Sequence, residues 1–360
     1  MEKHTLFIVH GIGQHEAGWA AQAEQALRAR WDAIEGCREQ AASADAFEIV
    51  PLGYDAIFEG IRQRWRDDLD QVLGALGEFD PPPGAVDAIV TLWRQTDDDS
   101  FLTTHVLDLI LYVLVPQVRH RVCVHVFKQL RDRLVPTGRP LPLWSIIGHS
   151  MGTSVVHDVL QGAVMQHWDA YAGPLPPGTI TPYIVGMLAN CSRVLERKPP
   201  ENHTGPWPWD VYGSAVWPGR LDTRAMCSHY FNVVHSLDPV PRPKPFVPDD
   251  TWPGLAEQGS ARRMAPYVKV RLDVATQLNV HTLEHYLADP DCYVPLFRLL
   301  GGMKVVSKAD ETALRATHDQ RHLPQARIDD LRQRLALAQI DRFRDIIDWA
   351  RKLLPFIPGA

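Results

Sequence analysis

Six short stretches of the chain are rich in β-branched and aromatic residues and largely apolar: residues 5–9 (TLFIV), 47–52 (FEIVPL), 143–147 (LWSII), 183–188, 230–234 and 267–272. Runs of that length and character are what strands buried on both faces of a parallel sheet show. Between them the apolar spacing changes to a helical period, over residues 19–34, 56–76, 86–94, 102–134 with a break at Pro116, and 153–166. Strands separated by helices need right-handed crossovers. The fold class this predicts is α/β, a doubly wound, mostly parallel sheet.

Three stretches depart from that rhythm. Residues 54–135 are almost wholly helical, more than one crossover needs, and are expected to form a helical insertion. Residues 196–220 are rich in proline and glycine and carry Trp207, Trp209 and Trp217. Long irregular segments are mostly functional or disordered; tryptophans argue against disorder, so a substrate loop beside a cleft is expected, with a structural plug as the alternative. From residue 309 the chain is polar and then helical, with Ile328, Leu331, Leu335, Ile340, Phe343, Ile347 and Leu354 on one broad stripe. The expected organisation is a core domain over residues 1–308 and a C-terminal helical extension over 309–360 packed upon it.

Composition narrows the function classes. The 360 residues are 45% hydrophobic and 22% charged, as in an ordinary globular domain with a sizeable core. The net charge of -6, with both signs interleaved, gives no footprint for nucleic acid. Five widely spaced cysteines match neither a zinc motif nor a disulfide framework and read as reduced thiols. The apolar run at residues 6–9 is too short for a signal-peptide core. Residues 106–118 contain Asp108 and Pro116 and fall short of a bilayer span. A cytoplasmic location is expected, with membrane-surface contact unsupported and the oligomeric state unspecified.

The chemistry concentrates at two glycine-bearing strand exits. Gly148-His149-Ser150-Met151-Gly152 follows the run LWSII and precedes a helical pattern, the setting in which G-x-S-x-G makes a sharp turn that lifts a serine above the sheet. Ser150 is the candidate nucleophile. His10-Gly11-Ile12-Gly13-Gln14-His15 follows TLFIV, and acyl transfer needs backbone donors aimed at a developing oxyanion. The Ile12 and Met151 amides are the candidate pair. A phosphate-binding reading of these glycines is weak, because neither G-x-G-x-x-G nor G-K-[ST] is present.

HGIGQ and GHSMG together resemble the α/β-hydrolase-fold serine esterases and lipases, and Ser236-Leu-Asp-Pro-Val-Pro-Arg242 resembles the acid-bearing segment of lipase-type members. The resemblance runs from residue 5 to about residue 286. It implies a nucleophile, acid and histidine in that chain order, with an acyl-enzyme intermediate and neither cofactor nor metal. Asp238, just beyond the strand at 230–234, is the expected acid. The base is His281 or His285. His281 is preferred because Thr282 can cap a short helix that would enclose His285.

Two other readings compete. His281-Thr-Leu-Glu284-His285 also spells the inverted zinc-hydrolase motif H-x-x-E-H, although Pro290 shortens the helix it needs. A hydrolase fold can also serve binding alone, since fold does not establish activity. The expected function is hydrolysis of a small-molecule or lipid carboxylic ester.

Overall fold

The computed structural model describes residues 3–11, 15, 18–67, 108, 111–113, 115–135, 143–176, 179–196, 216–219, 226–242, 244–248, 252 and 266–337. Strands form where the apolar runs predict them: β1 (His4–Val9), β2 (Phe47–Leu52), β3 (Trp144–His149), β4 (Ile184–Leu188), β5 (His229–His235) and β6 (Tyr267–Leu272). They make one sheet in the order β2-β1-β3-β4-β5-β6, and every pairing is parallel. β1, β3 and β4 are buried at every position, whereas exposed positions appear in β2 and β6. Those two are the edge strands, which is why Pro51 and the charged Lys269 and Arg271 are tolerated in them.

Successive side chains point to opposite faces of the sheet, and two separate cores follow. Phe7, Val9, Ile146, Val185, Met187 and Tyr230 contribute to one; Leu6, Ile8, Ile147, Ile184, Phe231 and Val233 contribute to the other. Each core is closed by helices. The first of them, α1 (Ala21–Ala33), lies on the second face through Ala23, Leu27 and Trp31. Short helices α2 (Glu35–Gln40) and α3 (Ser43–Ala46), which the periodicity does not separate from loop, lead into β2. On the first face lie α4 (Asp55–Asp67), α5 (Pro116–Leu134) and α6 (Met151–Val164). The short α7 (Asp169–Ala172) follows α6. The architecture is α/β with a wholly parallel sheet covered on both sides.

The break expected at Pro116 is present: Val115 is extended and a new helix begins after it. Pro116 starts α5 as a first-turn residue, where its missing N–H costs nothing. The described parts of the expected insertion include α4, α5 and the buried residues Tyr54, Asp108, Leu111, Tyr112 and Val113. The helix expected at 86–94 lies outside the described residues. So do Trp207 and Trp209. Trp217 is described: it packs partly buried against the first core, and its carbonyl accepts the Met226 amide at 3.2 Å.

The C-terminal part forms α8 (Leu283–Ala288), α9 (Pro290–Gly301), α10 (Lys308–Asp319) and α11 (Gln325–Leu337). Ser307 and Asp310 make a reciprocal capping box at the start of α10. Ile328 of α11 joins Leu237, Ala275 and Val280 in a small third core. Ile340, Phe343, Ile347 and Leu354 lie outside the described residues. Among the described residues no helix is long and apolar enough to cross a membrane.

Candidate active site

The order of the sheet decides where a site can form. The chain moves from β1 outward to β2, then returns to place β3 on the other side of β1. Consequently α1, after β1, covers one face, and α6, after β3, covers the other. The two strand exits diverge at their carboxyl ends, the position at which ligands bind in open α/β sheets. His10 and Gly11 leave β1 beside the GHSMG segment that leaves β3, with Val9 paired to Gly148.

Ser150 joins β3 to α6 with φ 54° and ψ -126°, a conformation costly for a residue with a Cβ and persisting only where surroundings enforce it. Several contacts do so. The Ser150 amide donates to the Leu188 carbonyl at 3.0 Å, and Thr153 returns its hydroxyl to the Ser150 carbonyl at 2.6 Å. A Cβ on Gly152 would stand 2.3 Å from the His10 carbonyl oxygen, and one on Gly148 2.7 Å from that of Gly152. Both glycines are needed so that α6 can start against β1. A Cβ on Gly11 would likewise meet the Ser150 Cβ at 2.8 Å.

Three side chains from distant parts of the chain then meet. His281 Nε2 lies 2.9 Å from Ser150 Oγ, and His281 Nδ1 lies 2.7 Å from Asp238 Oδ2. A carboxylate only accepts, so Nδ1 carries the hydrogen and Nε2 is free to accept the serine O–H. Asp238 is fully buried. Burial alone would push its carboxyl up; the His281 ring beside it, with donors from Tyr286 and Val240, holds it below the ordinary carboxylate value. Tyr286 donates to Oδ2 at 2.6 Å and the Val240 amide to Oδ1 at 2.9 Å.

The loop bearing His281 is held on its other side. His149 Nε2 donates to the His281 carbonyl at 2.6 Å. Burial lowers His149 to about 3, which keeps its ring neutral. Leu237 and Val280, the residues preceding Asp238 and His281, both sit in the small core that Ile328 completes. The acid and base loops are thus clamped by the C-terminal helices.

The structure separates the two candidate histidines. Thr282 caps α8 by accepting the His285 amide, and His285 lies inside that helix, its Nδ1 3.3 Å from Thr276 Oγ1. It does not reach Ser150, and the alternative of His285 as base is set aside on this geometry. The same arrangement removes the H-x-x-E-H reading: His281 faces Ser150 and Asp238, and the trio His281, Glu284 and His285 does not converge. Among the described residues one group of metal-capable side chains does, namely His10, His15 and Asp55.

Of the proposed oxyanion donors, Met151 opens α6, where a first-turn amide has no intrahelical partner. Ile12 and Gly13 lie outside the described residues. Just before them, His10 is buried and the Tyr54 hydroxyl donates to the carbonyls of His10 and Gly11 at 2.9 and 2.8 Å. Tyr54, Tyr286 and the linking role of His149 escape sequence reasoning. Tyr286 meets Asp238 across 48 positions, and nothing in the spacing marks such a contact.

Fold and site together define an α/β protein with a serine, histidine and aspartate in one hydrogen-bonded chain at the switch point of a parallel sheet. No family model, curated protein or solved structure matches this chain.

Proposed function

We propose that the protein is a serine hydrolase that cleaves a carboxylic ester through an acyl-enzyme intermediate. The observation that carries this reading is the continuous chain Ser150 Oγ, His281, Asp238 at 2.9 and 2.7 Å. In the proposed reaction Ser150 Oγ attacks the ester carbonyl while its proton passes to His281 Nε2. Asp238 keeps the imidazole in the required tautomer and stabilises the imidazolium. The Met151 and Ile12 amides receive the oxyanion. His281 returns the proton to the leaving alcohol, and water, activated by the same ring, releases the acid.

The strained backbone at Ser150 supports a nucleophile over a structural serine, since such strain concentrates at functional sites. An apolar acyl group, in a small-molecule or lipid ester, is supported by the tryptophan-bearing segment and the expected helical layer after β2. Five buried free thiols support a reducing compartment. The deciding experiment is turnover of p-nitrophenyl esters of graded chain length together with covalent labelling by a fluorophosphonate. Turnover and a label on Ser150 are expected; a chain that neither turns over ester nor takes the label would leave a non-catalytic binding fold.

A further inference from the structure

Outside the Ser150 chain, the first and last residues of the segment HGIGQH meet the start of α4. His10 Nδ1 lies 2.6 Å from the Gly11 carbonyl oxygen. That oxygen can only accept, so Nδ1 holds the hydrogen, and in the neutral tautomer the lone pair is then at Nε2. Nε2 lies 3.0 Å from Asp55 Oδ2. The Tyr54 amide donates to the same Nε2 at 3.3 Å, so this nitrogen already acts as an acceptor. On the other carboxylate oxygen, His15 Nδ1 stands 3.5 Å from Asp55 Oδ1. The donor atoms of all three residues lie within 4.8 Å of one another.

The convergence is built from separate elements. His10 leaves β1, Asp55 opens α4, and the Tyr54 hydroxyl ties these two together through the His10 and Gly11 carbonyls. His10 is buried, while His15 and Asp55 are partly open to solvent.

We propose that His10 Nε2, His15 Nδ1 and the Asp55 carboxylate bind one divalent transition-metal ion of the zinc class. Two imidazoles with one carboxylate form a borderline donor set that suits zinc over calcium or magnesium. Two donors held tetrahedrally at zinc distances stand about 3.3 Å apart, between the observed separations of 3.0 and 3.5 Å. The His10 and His15 rings stack with centroids 4.1 Å apart, so the more open His15 ring turns to direct its lone pair at the ion. Bound there, the ion ties His10 and His15 to Asp55 at the start of α4. Its role is to join the exit of β1 to α4, and the inference stands independently of the ester-hydrolase reading.

The test uses the full chain, stripped with a chelator and titrated with zinc chloride by calorimetry, then with cobalt(II) by visible spectroscopy. One equivalent of zinc is expected, and cobalt should give a tetrahedral nitrogen/oxygen spectrum with no thiolate band. His15→Ala and Asp55→Asn, whose side chains are not deeply buried, should each weaken binding by at least roughly a hundredfold, since losing even a group behind a ligand costs up to that, while far-ultraviolet dichroism stays unchanged. Absence of stoichiometric uptake would overturn the proposal, as would uptake of equal affinity in both variants, which would put the ion elsewhere. Fluorophosphonate labelling of Ser150 in the same samples reports on the hydrolase reading separately.

Discussion

At the scale of single residues, the site is a set of hydrogen bonds whose directions are forced. Asp238 can only accept, so it imposes Nδ1–H on His281 and leaves Nε2 for Ser150. Ser150→Ala is expected to abolish ester turnover and probe labelling with the melting temperature little changed, because the hydroxyl contributes chemistry more than packing. His281→Ala should lower kcat on an activated ester by about a thousandfold or more, since loss of a triad member leaves only oxyanion and binding effects. His285→Ala should retain turnover; steady-state kinetics on the two variants separate them, and an inactive but folded His285→Ala would reverse the assignment. Tyr286→Phe takes a donor from Asp238 and an acceptor from the His235 amide. Leaving buried polar groups short of partners should cost about 1–3 kcal/mol, read from the urea midpoint.

At the scale of elements, positions are set by how closely backbones approach. The contact of α6 with β1 passes through Gly152, where a Cβ would lie 2.3 Å from the His10 carbonyl oxygen. Gly152→Ala must push the helix from the strand. It should destabilise by about 3 kcal/mol, at the upper end of ordinary overpacking, and slow labelling of Ser150; chemical denaturation with timed labelling checks both. The C-terminal helices act on the site from behind. Ile328 of α11 touches the small core containing Leu237 and Val280, next to the acid and the base. Ile328→Ala should cost about 2–4 kcal/mol as a buried large-to-small change. It should also lower kcat more than it raises KM, because it loosens the loops bearing Asp238 and His281. An unchanged kcat in the folded variant would show that the clamp serves stability alone.

At the scale of the molecule, burial of neutral histidines makes the fold acid-sensitive. Loss of solvent lowers His4 and His285 to about 4 and His149 to about 3, from an ordinary 6.5. Each folded-state value lies below the unfolded one, so the unfolded chain binds the proton first. The stability this represents is complete above pH 6.5 and is lost as pH falls from there toward 3 to 4. Each of the three should remove roughly 1.4 kcal/mol per pH unit through that window. Asp238, held low, adds a loss only at lower pH, where an unfolded carboxylate takes its proton. Urea midpoints should therefore drop steeply between pH 7 and pH 5, and His4→Gln should flatten the slope by about one histidine's share; a midpoint independent of pH across this range would contradict the account.

Local patterning carries a large part of this protein. Residues such as Ile146, Ile147 and Val185 are apolar whichever way they face, and that alone marks strands buried on both sides and hence a parallel sheet. The Thr282 cap could likewise be read from neighbours within one turn, because capping is a local hydrogen bond; so could the turn at Ser150, because its glycines lie two positions away on either side. What the sequence left open depends on contacts between distant positions. The Thr282 cap already favours His281 over His285, but the contact that decides between them joins residues 131 positions apart at 2.9 Å. The support of Asp238 by Tyr286 has no period or motif, and neither has the convergence of His10 and His15 with Asp55. Strand order too is a tertiary decision: the six apolar runs do not say that β3 returns beside β1, yet that reversal is what splits α1 from α6 and makes the switch point. Short-range sterics and hydrogen bonding act within a few residues and are written in the chain, while side-chain convergence depends on the packing of whole layers and exists only once the sheet has formed.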